Sequence, residues 1–388
     1  MSAAPAPLVD RIRQRLAEEA RVPTAHSVAA ALRAENQLCG NGTVLALVDQ
    51  LRRDTTGAGP LEVLLAKPGV TDVLVNGPGE VYVDCGHGLQ LSALTFPDDE
   101  TVRRLAQRLA AQGGRRLDDS SPFVDVRLAD GTRFHAILAP IARPGTLLSL
   151  RVPARQTFSL DELTASGTLT ALGADCLVRL VAARAAFLIS GGTGSGKTTL
   201  LAALLSIVDA SERLVIVEDA TELRPQHPHT VGLESRPANI EGAGAIGLRD
   251  LVRQALRMRP DRLIVGEVRG AEVVEMLAAL NTGHEGGCGT LHANSAADVP
   301  ARLEALGVAA GLPRDAVHSQ LASALNVIVH LGRDATGLRR LRQIAVLERN
   351  EQGFVESVPA LNFTGEGVEA GAGFDRLQSV IGPLAITP

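Results

Sequence analysis
The chain has 388 residues, 45% of them hydrophobic but only 2% aromatic, and a formal net charge of −5 at pH 7. That length exceeds what one ordinary core fills and predicts two domains with peripheral segments, their cores built from Ala, Val, Leu and Ile as suits a helix-rich α/β protein. The acidic balance excludes a bulk coat for nucleic acid, and Cys39, Cys85, Cys176 and Cys288, far apart and without a Cys-x-x-Cys pair, argue against a zinc module or a disulfide framework.

In chain order, the Ala/Pro-rich start has no basic segment followed by an apolar one, and no uncharged apolar run reaches about 18 residues. A cytosolic protein is expected, with any membrane role exercised through a partner. Residues 8–20 place Leu8, Ile12 and Leu16 at fourfold spacing among charges, the pattern of an amphipathic packing or partner helix. A second helical stretch covers 44–53, so residues 1–56 are expected as a helical N-terminal extension. Strands are predicted at 71–76, 80–84, 123–128, 132–138 and 147–152, split by Asn-Gly, Pro-Gly and Asp-Gly turns. Between them lies a helix over 98–112, with Asp98, Asp99 and Glu100 at its positive end and Gly113-Gly114 at its stop. Residues 57–152 therefore read as a small α+β domain and 153–162 as a hinge. From 163 the pattern alternates, with parallel-strand candidates at 187–190, 214–218, 263–266 and 289–292 in a nucleotide-binding domain over 163–349. Residues 350–388 are glycine-rich and weakly patterned and are expected as a tail.

Only two lysines occur, Lys67 and Lys197. Lys197 closes the run Gly191-Gly192-Thr193-Gly194-Ser195-Gly196-Lys197-Thr198-Thr199, a P-loop pattern with an apolar strand before it and a helix after it. The glycines let backbone N–H groups converge on a phosphate, and the helix N-terminus adds a favourable dipole. An ammonium at Lys197 suits the β- and γ-phosphates of a nucleotide, and the Thr198 hydroxyl suits Mg²⁺.

Acidic residues end two further strands. Glu218, Asp219 and Glu222 follow one, at the sheet edge where ligands of open α/β folds sit, and can orient an attacking water or hold Mg²⁺ through water. Glu267 follows the other, with Gly266 in the place of the usual Walker B aspartate. His284 and His292 bracket a glycine-rich stretch; their spacing is a poor metal pair, and His292 at a strand end suits a sensor of the γ-phosphate. In the smaller domain Arg127, Arg133 and Arg151 sit on strands or beside turns, and arginines brought across a boundary are a known means of stabilising phosphoryl-transfer charge.

Together the P-loop, the acidic box 217–223, the Gly266-Glu267 pair and the histidine box 289–295 resemble the four signatures of the secretion NTPase superfamily, which contains type II secretion, type IV pilus and type IV secretion traffic ATPases. The runs 236–242, 256–262 and 266–270, with 72–78 and 124–131 in the smaller domain, resemble its tight-adherence (Flp) pilus branch, TadA or CpaF. The resemblance covers about residues 57–348. It implies a RecA-like P-loop ATPase domain, a smaller mobile N-terminal domain and a homo-hexameric ring binding ATP and Mg²⁺ between subunits. It further implies Glu222 as the base that positions water, Glu218 in support, Glu267 at Mg²⁺ with Thr198, His292 coupling the γ-phosphate to the ring, and Arg133, Arg151 and Arg127 closing over ATP. The work expected is assembly or export of Flp-type pili through inner-membrane platform proteins at the cytoplasmic face of the membrane, with pilin or cargo engaged indirectly and no direct nucleic-acid binding. A conjugation-type traffic ATPase and a nucleotide-ordered scaffold with negligible hydrolysis are the competing readings. The tetracysteine module of type II secretion ATPases is missing, the N-terminal extension is short, and the tail matches no known pattern.

Overall fold
A computed structural model describes residues 11–12, 15, 24–35, 44, 48, 57–86, 88–153, 157–236, 238, 243–283, 285–334, 336–365 and 367–385. Most of the expected helices 8–20 and 44–53, the hinge residues 154–156, part of the 236–242 run and His284 lie outside them. The chain divides into two units, Met1–Ala154 and Arg155–Pro388.

In the first unit six described strands form an antiparallel sheet in the order β3-β2-β1-β6-β5-β4. They are β1 (Asp72–Asn76), β2 (Val81–Asp84), β3 (Leu89–Leu91), β4 (Phe123–Arg127), β5 (Arg133–Ile137) and β6 (Leu147–Arg151). Burial alternates along β4, β5 and β6, so one face carries the core and the other stays open, as antiparallel sheets permit. The core face is filled with Val102, Leu105, Ala106 and Leu109 of a helix over Asp99–Gln112, spaced three and four apart. Asp98 caps that helix by accepting from the Thr101 N–H at 2.8 Å, as its position ahead of the helix predicts. A helix over Ala25–Ala34, capped by Thr24, is an addition to the expected elements. Its alanine-rich sequence has little charge contrast to mark a face.

The second unit holds a nine-stranded sheet among the described residues, ordered β15-β14-β13-β12-β7-β11-β10-β8-β9. Strands β7 (Phe187–Gly191), β8 (Leu214–Glu218), β9 (Thr230–Glu234), β10 (Arg262–Val268), β11 (Cys288–His292) and β12 (Val327–Arg333) run parallel. Helices cover both faces, which is why β7 and β8 are buried at every residue and read as unbroken apolar runs. One face packs Leu177, Leu200, Leu204 and Leu377; the other packs Val252, Val273, Leu277, Leu303 and Leu321.

Beyond 350 the expected tail is instead structured. Strand β14 (Val355–Phe363) pairs antiparallel with β13 (Arg339–Arg349), β15 (Val368–Ala370) follows, and a helix over Phe374–Ile381 sends Leu377 and Ile381 into the core. A register shift between Ile344 and Ala345 breaks the period-two pattern that would have marked these strands. No helix among the described residues is long and apolar enough to cross a membrane.

Candidate active site
The parallel strands deliver their ends to one edge, where His292 is in register with Gly191 at the start of the P-loop. The loop leads into a helix over Lys197–Ser206 whose N-cap, Gly196, has φ +97° and no capping side chain. Its first-turn N–H groups therefore have no intrahelical acceptor. Lys197 is only 7% exposed, and its Nζ donates to the carbonyls of Gly191 and Gly192, both at 2.9 Å. Burial holds its pKa below the ordinary lysine value, while the charges of Glu267 and Glu222 oppose that shift. The Ser195 hydroxyl is buried without a hydrogen-bond partner. An uncapped helix end, a buried ammonium and an orphaned hydroxyl form a cradle that fits a polyphosphate.

Glu218, 6% exposed at the end of β8, accepts through Oε1 from the backbone N–H groups of Glu222 (3.1 Å) and Leu223 (2.9 Å). Burial pushes its carboxyl up to about 7, against the lowering effect of those two donors. A Cβ at Gly266 would stand 2.6 Å from Glu218 Cγ. The missing Walker B aspartate thus has a steric reason, because the side chain of Glu218 fills the space beside Gly266.

His292 bridges two partners, with Nε2 2.8 Å from Glu267 Oε1 and Nδ1 3.4 Å from Lys197 Nζ. The ammonium can only donate, so Nδ1 accepts and Nε2 carries the proton toward the carboxylate. Burial and the neighbouring Lys197 hold the His292 pKa below the ordinary histidine value, which agrees with a neutral ring. Thr290 fixes the neighbouring strands by donating to the Gly266 carbonyl at 2.6 Å. Asp219 turns elsewhere, accepting from the Ser235 hydroxyl at 3.0 Å and pairing with Arg269.

Glu222 and Glu267 lie within the electrostatic reach of Lys197, and Thr198 follows it on the first helical turn. Among the described residues no three His, Cys, Asp or Glu side chains form a metal cage. One hydroxyl and one carboxylate, Thr198 and Glu267, are a donor set suited to Mg²⁺, which keeps several waters and phosphate oxygens in its shell.

In the first unit Arg127, Arg133 and Arg151 are direct cross-strand neighbours on β4, β5 and β6. Burial alternation puts all three on the open face of that sheet. Arg133 pairs with Asp125 at 3.4 Å, and Arg151 stands opposite Asp72 of β1. The three like charges repel one another across the strands, and Asp125 and Asp72 stand beside them.

Two contacts to the P-loop come from residues no motif marks, Arg333 and Arg339, and a third supports the strand before it, where the Ser190 hydroxyl meets His330 Nδ1 at 2.9 Å. All three residues belong to β12 and β13, whose register no local pattern reveals.

A family model described as type II/IV secretion system protein matches residues 54–356. A Mycobacterium tuberculosis protein named "Putative conjugal transfer protein" is 54% identical over 349 residues, which is 88% of this chain and 99% of that protein. The conjugal transfer protein TrbB of Rhizobium radiobacter is 32% identical over 293 residues, 74% of this chain and 86% of TrbB. Among solved structures, the pilus retraction motor PilT with bound ADP is similar at a TM-score of 0.51 and 19% identity, covering 82% of this chain and 84% of that one. The Legionella pneumophila ATPase DotB is similar at a TM-score of 0.50 and 18% identity, covering 75% and 79%. At those identities the structures speak for fold alone, a RecA-like P-loop architecture. With the four motif segments gathered at one sheet edge and the family model spanning most of its length, the chain belongs to the type II/IV secretion system family of traffic ATPases.

Proposed function
We propose that this chain hydrolyses ATP with Mg²⁺ to drive a conjugation-type traffic system that transfers DNA or protein. The observation that carries the hydrolase reading is the Lys197 ammonium, buried beside the uncapped helix end and linked through His292 to Glu267. Bound MgATP supplies the phosphoanhydride that water cleaves. Lys197 and the loop N–H groups hold the phosphates, Glu222 accepts the proton of the attacking water, and Glu218 holds the Glu222 backbone in place. Glu267 and Thr198 take positions at Mg²⁺, and His292, neutral and tied to Glu267, reports on the γ-phosphate. Arg133, Arg151 and Arg127 neutralise developing charge from the open face of the first unit in a homo-hexameric ring.

The relatives' names support conjugal transfer over pilus assembly. The pilus reading retains the resemblance of the 236–270 segment to the tight-adherence branch. Neighbouring genes separate the two: a relaxase or a coupling ATPase goes with transfer, and pilin-like genes with paired platform proteins go with pili. Platform partners at the inner membrane and a cytoplasmic site of action belong to both.

The hydrolase is tested by the steady-state Mg²⁺-ATPase rate as protein concentration rises, with Lys197→Ala as the blank. A specific rate that climbs with concentration and vanishes in the variant is expected. A rate equal to the blank at every concentration counts against hydrolysis and for a nucleotide-ordered scaffold.

A further inference from the structure
Arg333 ends β12 and Arg339 begins β13, and the two are cross-strand neighbours at the mouth of a tight turn. Asp334 organises that turn, accepting from the backbone N–H groups of Thr336 (2.9 Å) and Leu338 (3.0 Å) and from Arg340 at 3.1 Å. Arg333 is tethered to it through Nη1, which donates to the Gly337 carbonyl at 2.8 Å. The other arm of the guanidinium, Nη2, donates to the Gly194 carbonyl at 3.0 Å. Arg339 Nε donates to the same oxygen at 3.1 Å. Two charge-assisted donors thus converge on one exposed peptide of the P-loop.

The consequence follows from peptide geometry. In a planar trans peptide the carbonyl and the next N–H point in opposite directions. Holding the Gly194 carbonyl toward the hairpin therefore turns the Ser195 N–H away from it, toward the inside of the loop, where it lies 3.4 Å from the Gly192 carbonyl. Gly194, at φ +69°, and Gly196, at φ +97°, have wide conformational freedom when nothing holds them. The hairpin also approaches from one side only. β12 flanks β7 on the side away from β11, β10 and β8, whose ends carry His292, Glu267 and the Glu218–Glu222 segment.

We propose that Arg333 and Arg339 are positioning residues, a clip that holds the P-loop in its phosphate-receiving shape before nucleotide arrives. The inference rests on the nucleotide-binding reading given above. Because the clip grips the loop away from the acidic and histidine groups, it acts on binding and leaves turnover alone. A loop that must first be ordered weakens apparent affinity by the fraction of time it is competent.

The test compares the full chain with Arg333→Met/Arg339→Met, which keeps the exposed stems, and with Arg333→Lys/Arg339→Lys, which returns one point donor at each place. Hydrogen exchange is read without nucleotide at the Ser195 and Leu200 amides, which donate to the Gly192 and Gly196 carbonyls, ADP affinity by calorimetry, and kcat at saturating ATP. In the methionine variant we expect exchange and the ADP Kd each to rise about tenfold while kcat stays within about threefold, with partial recovery in the lysine variant. Unchanged exchange, unchanged ADP affinity, or a fall in kcat at constant affinity would each overturn the proposal. If the unaltered chain binds no ADP but its loop amides still exchange more slowly than the variant's, the nucleotide reading fails and the clip stands.

Discussion
The two sheets of this chain carry their charged residues in different ways. In the first unit arginines project from the open face of strands that bury every second residue. In the second unit the central strands bury both faces, so charge is confined to the strand ends, where Glu218, Glu267 and His292 gather. A charged face is made by strand register and can be altered without touching the core. A charged edge is made by packing, and some of its carboxylates are also part of the core.

That contrast sets three expectations. The largest effect belongs to an edge residue: Glu222→Gln is expected to cut the Mg²⁺-ATPase rate by ~10²–10⁴, the usual worth of general-base help. A rate within about threefold of the parent would remove Glu222 from that role and weaken the edge as the seat of chemistry.

Next comes Glu218, which belongs to both edge and core. Its carboxyl titrates near 4.5 when free and at about 7 when folded, so between those values the folded state retains a proton that the unfolded state has released. Stability therefore falls as pH rises across that window, and above about 7 the cost of the buried charge is fully present. Glu218→Gln cannot ionise and keeps an acceptor for the two backbone N–H groups. Its stability advantage in urea unfolding is expected to be small near pH 4.5 and to grow to on the order of 2 kcal/mol by about pH 8. An advantage that does not change with pH would show that the carboxylate is not desolvated in the folded chain.

The smallest effect on stability is expected on the open face. Arg133→Gln loses an exposed ion pair with Asp125 and should change unfolding free energy by no more than ~0.5 kcal/mol, while turnover falls about tenfold or more. Loss of stability in step with activity would mean that the arginine row supports the sheet itself.

Much of this arrangement was legible in the residues. The β8 strand ends at Glu218 as its apolar run predicts, and β7, β10 and β11 differ from expectation by one or two residues. Buried parallel strands advertise themselves because every residue is apolar. Strand β9 escaped notice because Thr230, Val231 and Leu233 sit half-exposed at the sheet edge, and β14 because a register shift scrambles its alternation. At the site, the P-loop reads from its own spacing, whereas Glu222, Glu267 and His292 read only as polar groups at strand ends and owe their expected roles to the family resemblance. The contact of Glu218 with Gly266 and the hold of Arg333 and Arg339 on Gly194 could not be read, since each joins strands distant in sequence. The family was readable for the same local reason, while the cargo was not, because the shared motifs bind phosphate and say nothing of what the motor moves.

Gly266 and Glu218 also constrain what each other's position can hold. Beside Gly266 the space a side chain would take is filled by Glu218 from the neighbouring strand, so a Cβ there would force that carboxylate to shift. The two positions are therefore coupled: an aspartate at 266 needs the side chain at 218 to be shortened or moved, so Gly266→Asp should be tolerated better beside Glu218→Ala than alone.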